Sequence, residues 1–186
     1  MKKTLLIALM AILVHSANSQ TSIFSRPTSF SQSLQSVLED YPNNFHNISG
    51  ESIIEQGEVE QYESTVQLPG AEACIIGRYH SVIDTTASFQ AIMFRAEEFE
   101  EAAKQYRSIY KQLKASPVVM VDGSKLYFKS EFSEPDNSFD FIVSTFTFPS
   151  HDRRFMGFRI DLELVYIMNE WTVNINMGRK KDDTEE

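Results

Sequence analysis

The residue pattern predicts an α+β fold, with two amphipathic helices packed on one face of a meandering antiparallel β-sheet. Three observations carry this expectation. Phe99, Ala102, Ala103, Tyr106, Ile109, Tyr110 and Leu113 recur at i, i+3, i+4 and i+7, which is one stripe of a helix. Met156, Phe158, Ile160, Leu162, Leu164, Tyr166 and Met168 occupy every second position, with Arg159, Asp161 and Glu163 between them, which is the period of a strand. The patterns follow in the order helix, several strands, helix, several strands, which also accommodates two successive helix-plus-strands units.

The first nineteen residues read as a signal peptide. Lys2 and Lys3 give a positive start, Leu5 to Val14 are apolar throughout, and Ala17-Asn18-Ser19 supplies the small residues of a cleavage site. Ten helical residues reach about 15 Å, half of a bilayer core of roughly 30 Å, so the run is too short for an anchor. The expectation is an exported protein, periplasmic or extracellular and soluble after cleavage, with a flexible leader over residues 20–27. A single α+β domain over 28–178 and a charged tail over 179–186 complete the organisation.

Within the domain, Phe30, Leu34, Val37, Leu38 and Tyr41 stand at helical spacing, with Thr28 and Ser29 as caps and Pro42 as the stop. Residues 43–57 read as turn-rich. Glu58–Leu68, Ala71–Val82 and Ser88–Arg95 read as strands, with Pro69-Gly70 a turn. In the second helix Glu97, Glu98, Glu100 and Glu101 crowd the first turns. Lys104, Arg107, Lys111 and Lys114 follow towards the end, an order that complements the helix dipole. Pro117 closes it. Asp122-Gly123 signals a hairpin turn, and Leu126, Phe128 and Phe132 alternate with polar residues. A turn at Asn169-Glu170 would set Met168 opposite Trp171, Tyr166 opposite Val173, Leu164 opposite Ile175 and Leu162 opposite Met177.

The strand expected over Phe139–Phe148 carries more apolar side chains than one face can hide. Phe139, Phe141 and Val143 share one face, and Ile142, Phe146 and Phe148 the other. Either choice of core face leaves three large groups opposite, and burying each is worth roughly 1.5–3 kcal/mol. These six residues form the candidate apolar binding patch. The candidate basic site is Arg153 and Arg154 in the following loop, with Arg159 nearby, placed to receive a carboxylate or a glycan-associated anion.

Composition bounds the partners. The formal charge is −9, and loss of Lys2 and Lys3 with the leader would take it two units lower. An acidic surface repels phosphate backbones, so no nucleic-acid partner is expected, and no later run is long enough to span a membrane. Cys74 is the only cysteine, so no internal disulfide forms, and its apolar surroundings point to a buried inert thiol. Cys74, His80 and Asp84 are the only local set with nucleophile, base and orienting group, but an unbroken strand would hold Cys74 and His80 about 20 Å apart. His46, His80 and His151 lack ligand spacing, and Glu58, Glu60 and Glu63 read as solvated strand residues. Asn47-Ile48-Ser49 matches a glycosylation sequon. No catalytic residue, metal site or cofactor is expected. The leading functional expectation is an exported non-catalytic binding module that uses its apolar sheet surface to engage a protein or a second copy. A carrier of a hydrophobic small molecule comes second, and a hydrolase of unrecognised type third.

Overall fold

The computed structural model describes residues 29–80, 86–149 and 151–179. The expected signal peptide and leader therefore lie outside the described residues, as does the tail from residue 180.

Ser29 caps the first helix, α1 (Phe30–Asp40), through a reciprocal pair. The Gln32 backbone N–H donates to Ser29 Oγ at 3.2 Å, and the Ser29 N–H donates to Gln32 Oε1 at 2.9 Å. Two backbone donors without helical partners are satisfied together. Pro42 sits in one turn of 3-10 helix (Tyr41–Asn43) that continues α1. The buried Asp40 carboxylate then accepts from the Asn43 side chain, from the Asn47 backbone and side-chain amides, and from the Ile48 N–H. That cluster turns the chain back towards the sheet. It also engages the amide nitrogen of the sequon asparagine.

Four strands follow: β1 (Ser49–Gln56), β2 (Val59–Ser64), β3 (Ala73–Tyr79) and β4 (Ala87–Ala96). β1 corrects the turn-rich reading of residues 43–57. It is an edge strand with two irregularities in its pairing to β2, and its Ile53 and Ile54 are both substantially exposed. With no buried residue over 49–54, it lacks the alternation that marks a strand in sequence.

The second helix, α2 (Phe99–Ala115), matches its stripe: Ala102, Ala103, Tyr106, Ile109, Tyr110 and Leu113 are all buried. A small ribbon follows, β5 (Val118–Val119) with β6 (Lys125–Leu126), separate from the main sheet. Gly123 turns it with a φ of 80°, a conformation open to glycine at little cost. Then come β7 (Lys129–Glu131), β8 (Phe141–Thr147), a 3-10 turn (Arg153–Phe155), β9 (Phe158–Ile167) and β10 (Glu170–Arg179). β10 includes Gly178 and Arg179, so Arg179 belongs to the sheet rather than to a tail.

The architecture is α+β, with a large antiparallel sheet in the order β1-β2-β3-β4-β10-β9-β8-β7. The first four strands form one meander and the last four another. The two join where β4 pairs with β10, from Trp171 opposite Ala96 to Gly178 opposite Ser88.

The β9–β10 hairpin corrects the expected register. The turn residues are Met168 and Asn169, both with left-handed φ (52° and 67°), and Ile167 pairs with Glu170. Tyr166 therefore faces Trp171, Leu164 faces Val173, Leu162 faces Ile175 and Ile160 faces Met177. The slip is two residues, so every side chain keeps its face although every partner changes.

One face of the sheet holds the core. A row runs from Phe146 through Ile160, Met177 and Phe89 to Ile76, each fully buried. α2 lies against β4, β9 and β10. Tyr106 Oη donates to Ser144 Oγ at 2.6 Å, the Phe99 ring meets Trp171 edge-on at 5.0 Å, and Tyr110 stacks tilted on Phe146 at 5.0 Å. Burial pushes the Tyr106 hydroxyl up to about 12. From the other end of the sheet, the ring of Tyr41 meets Phe158 at 4.8 Å and Phe45 meets Phe89 at 6.3 Å.

Phe146 joins α2, β8 and the Phe128 ring in this core. Phe146→Ala should lower unfolding stability by about 3–5 kcal/mol. Urea denaturation followed by tryptophan fluorescence and far-ultraviolet dichroism measures it, and a loss under about 1 kcal/mol would contradict this packing.

Candidate functional site

β8 divides its apolar residues between the two sides of the sheet. Ile142, Phe146 and Phe148 enter the core. Phe141, 55% exposed, and the half-buried Val143 point to the opposite face, and Phe139, two residues before Phe141, is 61% exposed. The candidate patch is thus brought together only in part. Phe141 stands directly opposite Val165, and Val165 opposite Thr172, on that face. Ile167 shares the face by strand parity and is 54% exposed. Met168, at the hairpin tip beside it, is 92% exposed.

Cross-strand register places a polar band beside this apolar end. One row reads Val143, Glu163, Asn174, Ile92, Ala73, and the next Thr145, Asp161, Asn176, Gln90, Ile75. Glu163 and Asn176 were visible in sequence only as the polar partners of apolar residues. Five strands in register were needed to gather them. Thr145 Oγ1 donates to Asp161 Oδ1 at 2.9 Å, and Arg159 Nε reaches Asp161 Oδ2 at 2.7 Å. Burial raises the Glu163 carboxyl, a hydrogen bond from Asn176 works against that rise, and the Asp161 charge adds to it. The Asn174 Oδ1 atom, on the residue paired with Glu163, is buried without a hydrogen-bond partner among the described residues.

The three arginines of the basic site fall in two environments. Arg154 forks onto Asp152 within its own loop, with its Nη2 at 2.6 Å from Oδ2. Arg159 projects from β9 onto the polar face, tied to Asp161. Arg153 opens a hollow of about 320 Å³ shared with Arg154, Tyr41 and Arg179. Arg179 escaped sequence reading because the run of charges after it resembles a tail.

Cys74 is buried on the core side of β3, accepts the Leu68 N–H at 3.4 Å, and is pushed up by burial. His80 meets Glu60 at 3.0 Å on the surface, and Asp84 lies outside the described residues. Hydrogen bonds from Tyr62 and His80 hold the Glu60 carboxyl below its ordinary value. Glu63 lies on the opposite face of β2 from Glu60, by strand alternation. Among the described residues no group of three or more His, Cys, Asp or Glu could hold a metal ion, and no helix is long and apolar enough to cross a membrane.

Glu163 has a consequence for stability. A carboxyl whose folded value is raised favours folding when protonated and opposes it when ionised. The stabilising contribution is complete below the unfolded glutamate value of about 4.3 and is lost as pH rises through the folded value. Glu163→Gln removes that loss and supplies an N–H opposite the Asn174 acceptor. The variant should therefore be more stable than the native chain at pH 7, with the advantage narrowing as pH falls through the unfolded glutamate value. Urea midpoints across that range test it; an unchanged or lowered midpoint at pH 7 would refute the role given to burial. In comparisons with protein-family models, curated proteins and solved structures, the chain has no match.

Proposed function

We propose that this protein is an exported, non-catalytic interaction module whose two helices close one face of the sheet, leaving the apolar end of the other face to dock a protein partner. The observation that carries the reading is Met168. A left-handed φ at a residue with a full side chain costs roughly 1–2 kcal/mol, and a 92% exposed methionine returns nothing to the isolated fold. It stands beside Ile167, with Phe139, Phe141 and Val165 close along β8 and β9. Such a concentration of exposed apolar groups is characteristic of a docking surface.

The rim argues for the kind of partner. Asp136, Asp140 and Glu170 are exposed around this end, and Arg95, on the same face opposite Thr172, lies 3.7 Å from Glu72. A two-fold pair of copies would set acid against acid. A partner with apolar side chains flanked by lysines or arginines complements the surface. The carrier reading has less support: the hollow walled by Leu38, Val118 and Phe155 is about 270 Å³, below the range of roughly 300–1,000 Å³ typical of small-molecule sites, and the larger one beside α1, about 460 Å³, is lined mainly by the polar residues Ser31, Gln32, Gln35 and Ser36.

Fluorescence anisotropy with two labelled amphipathic helical peptides, one of leucine and lysine and one of leucine and glutamate, tests the proposal. The lysine peptide should bind and the glutamate peptide should not. Phe141→Ser and Ile167→Ser should each weaken binding at least fivefold without unfolding the chain. Met168→Asn should weaken it too while raising stability by about 0.5–1 kcal/mol, because asparagine tolerates the left-handed turn. Equal binding of both peptides, binding that survives these substitutions, or no binding at all would overturn the reading. A dimer in sedimentation velocity that Phe141→Ser abolishes would replace it with self-association.

A further inference from the structure

The geometry points to a second site, independent of the apolar end: a hollow at the opposite end of the open face that binds a small hydroxylated molecule through its carboxylate or phosphate. The hollow measures about 410 Å³. Ser88 and Gly178, paired across β4 and β10, lie on its floor. Gly178 lacks the left-handed φ that would require a glycine, so backbone conformation does not explain it. A Cβ at Gly178 would meet the Ala87 carbonyl oxygen at 3.5 Å and Ser88 Cβ at 3.6 Å, ordinary contacts, so a side chain fits there without displacing the backbone. Glycine inside a strand loses packing and adds chain entropy. Where turn geometry does not demand it, it often marks a bulge, a bend or close approach by another group, and the pairing at Gly178 is regular.

The walls supply the recognition. Arg179 has no acid partner among the described residues. Its side chain lies across Gly157, where an added Cβ would sit 3.3 Å from Arg179 Cγ, and it lines both this hollow and the adjoining one. Arg159 commits Nε to Asp161 and keeps its other N–H groups. Arg159 and Arg179 are the guanidiniums of this hollow, Arg153 lines the adjoining hollow that shares Arg179, and Arg154 there is already committed to Asp152. Guanidinium groups match the paired oxygens of carboxylates and phosphates. Asn176, Asp161 and Tyr79 complete the walls. Asp161 is itself a carboxylate facing the anion. With Arg159 and Thr145 on its two oxygens, its charge is offset and it remains an acceptor for ligand hydroxyls.

Isothermal titration of the purified chain at low ionic strength with inorganic phosphate, glucuronate and neutral glucose tests this. Either anion, or both, should bind with a dissociation constant of about 1 mM or lower, and glucose should not; the pattern between phosphate and glucuronate identifies the anionic group. Arg179→Ala should weaken binding at least tenfold. Gly178→Leu, which fills the floor and preserves every charge, should do the same. Arg107→Ala, on the far side of the molecule and paired with Glu134, should change nothing. Absence of binding by both anions, equal binding of glucose, or full binding by Gly178→Leu would each overturn the site, the last by showing a diffuse field in place of a shaped cavity. Should Gly178→Leu not fold, Arg179→Ala decides alone, since it alters an exposed side chain at a strand end.

Discussion

The pairing of β4 with β10 is the constraint on which the rest of this molecule depends. Every other contact within the main sheet joins strands that are neighbours along the chain, and each could form within its own meander. Only this ladder fuses two four-stranded halves into one surface. It joins residues about eighty positions apart, so its closure costs chain entropy that local hairpins do not. The return is apolar burial: Phe89 and Ala91 meet Met177 and Ile175 across the seam, and α2 lies over β4, β9 and β10.

The same seam organises the opposite face. Gln90, Asn174 and Asn176 meet there because the core side fixes parity, leaving alternate positions to face outward. The open face is therefore not uniform. It passes from exposed apolar groups around Phe141 and Ile167, through the band of Glu163, Asn174 and Asn176, to the hollow over Ser88 and Gly178. Three chemistries are displayed on one rigid support, and no flexible element is needed to position them.

How much of this was legible depended on whether local periodicity carried the information. α2 and β9 were readable because one face of each is buried and the other solvated, so polarity repeats at 3.6 or 2 residues. β1 was not, since an edge strand with no buried residue over 49–54 has no such signature. The parity of β8 could not be read either, because apolar residues occur at both parities and the loop before β9 leaves it undetermined. Met168-Asn169 contains no glycine to announce a tight hairpin, which displaced the expected register by two residues. Of the candidate site residues, Phe141 and Arg159 were found by type alone. Glu163, Asn174 and Arg179 were not, because their significance arises from strands far apart in sequence.

The irregular pairing of β1 has a consequence for a protein with so much oily surface. An open sheet ends in unsatisfied amide and carbonyl groups, and a regular margin of that kind recruits further chains into fibres. Here one margin is distorted where register shifts between Ser49 and Ser52 and again between Ser52 and Ile54. The other is only three residues long and carries Lys129 and Glu131. Neither offers the straight template that stacking demands. Under the proposed docking role, the broad side of the sheet is then the surface left for a partner, and it saturates instead of propagating.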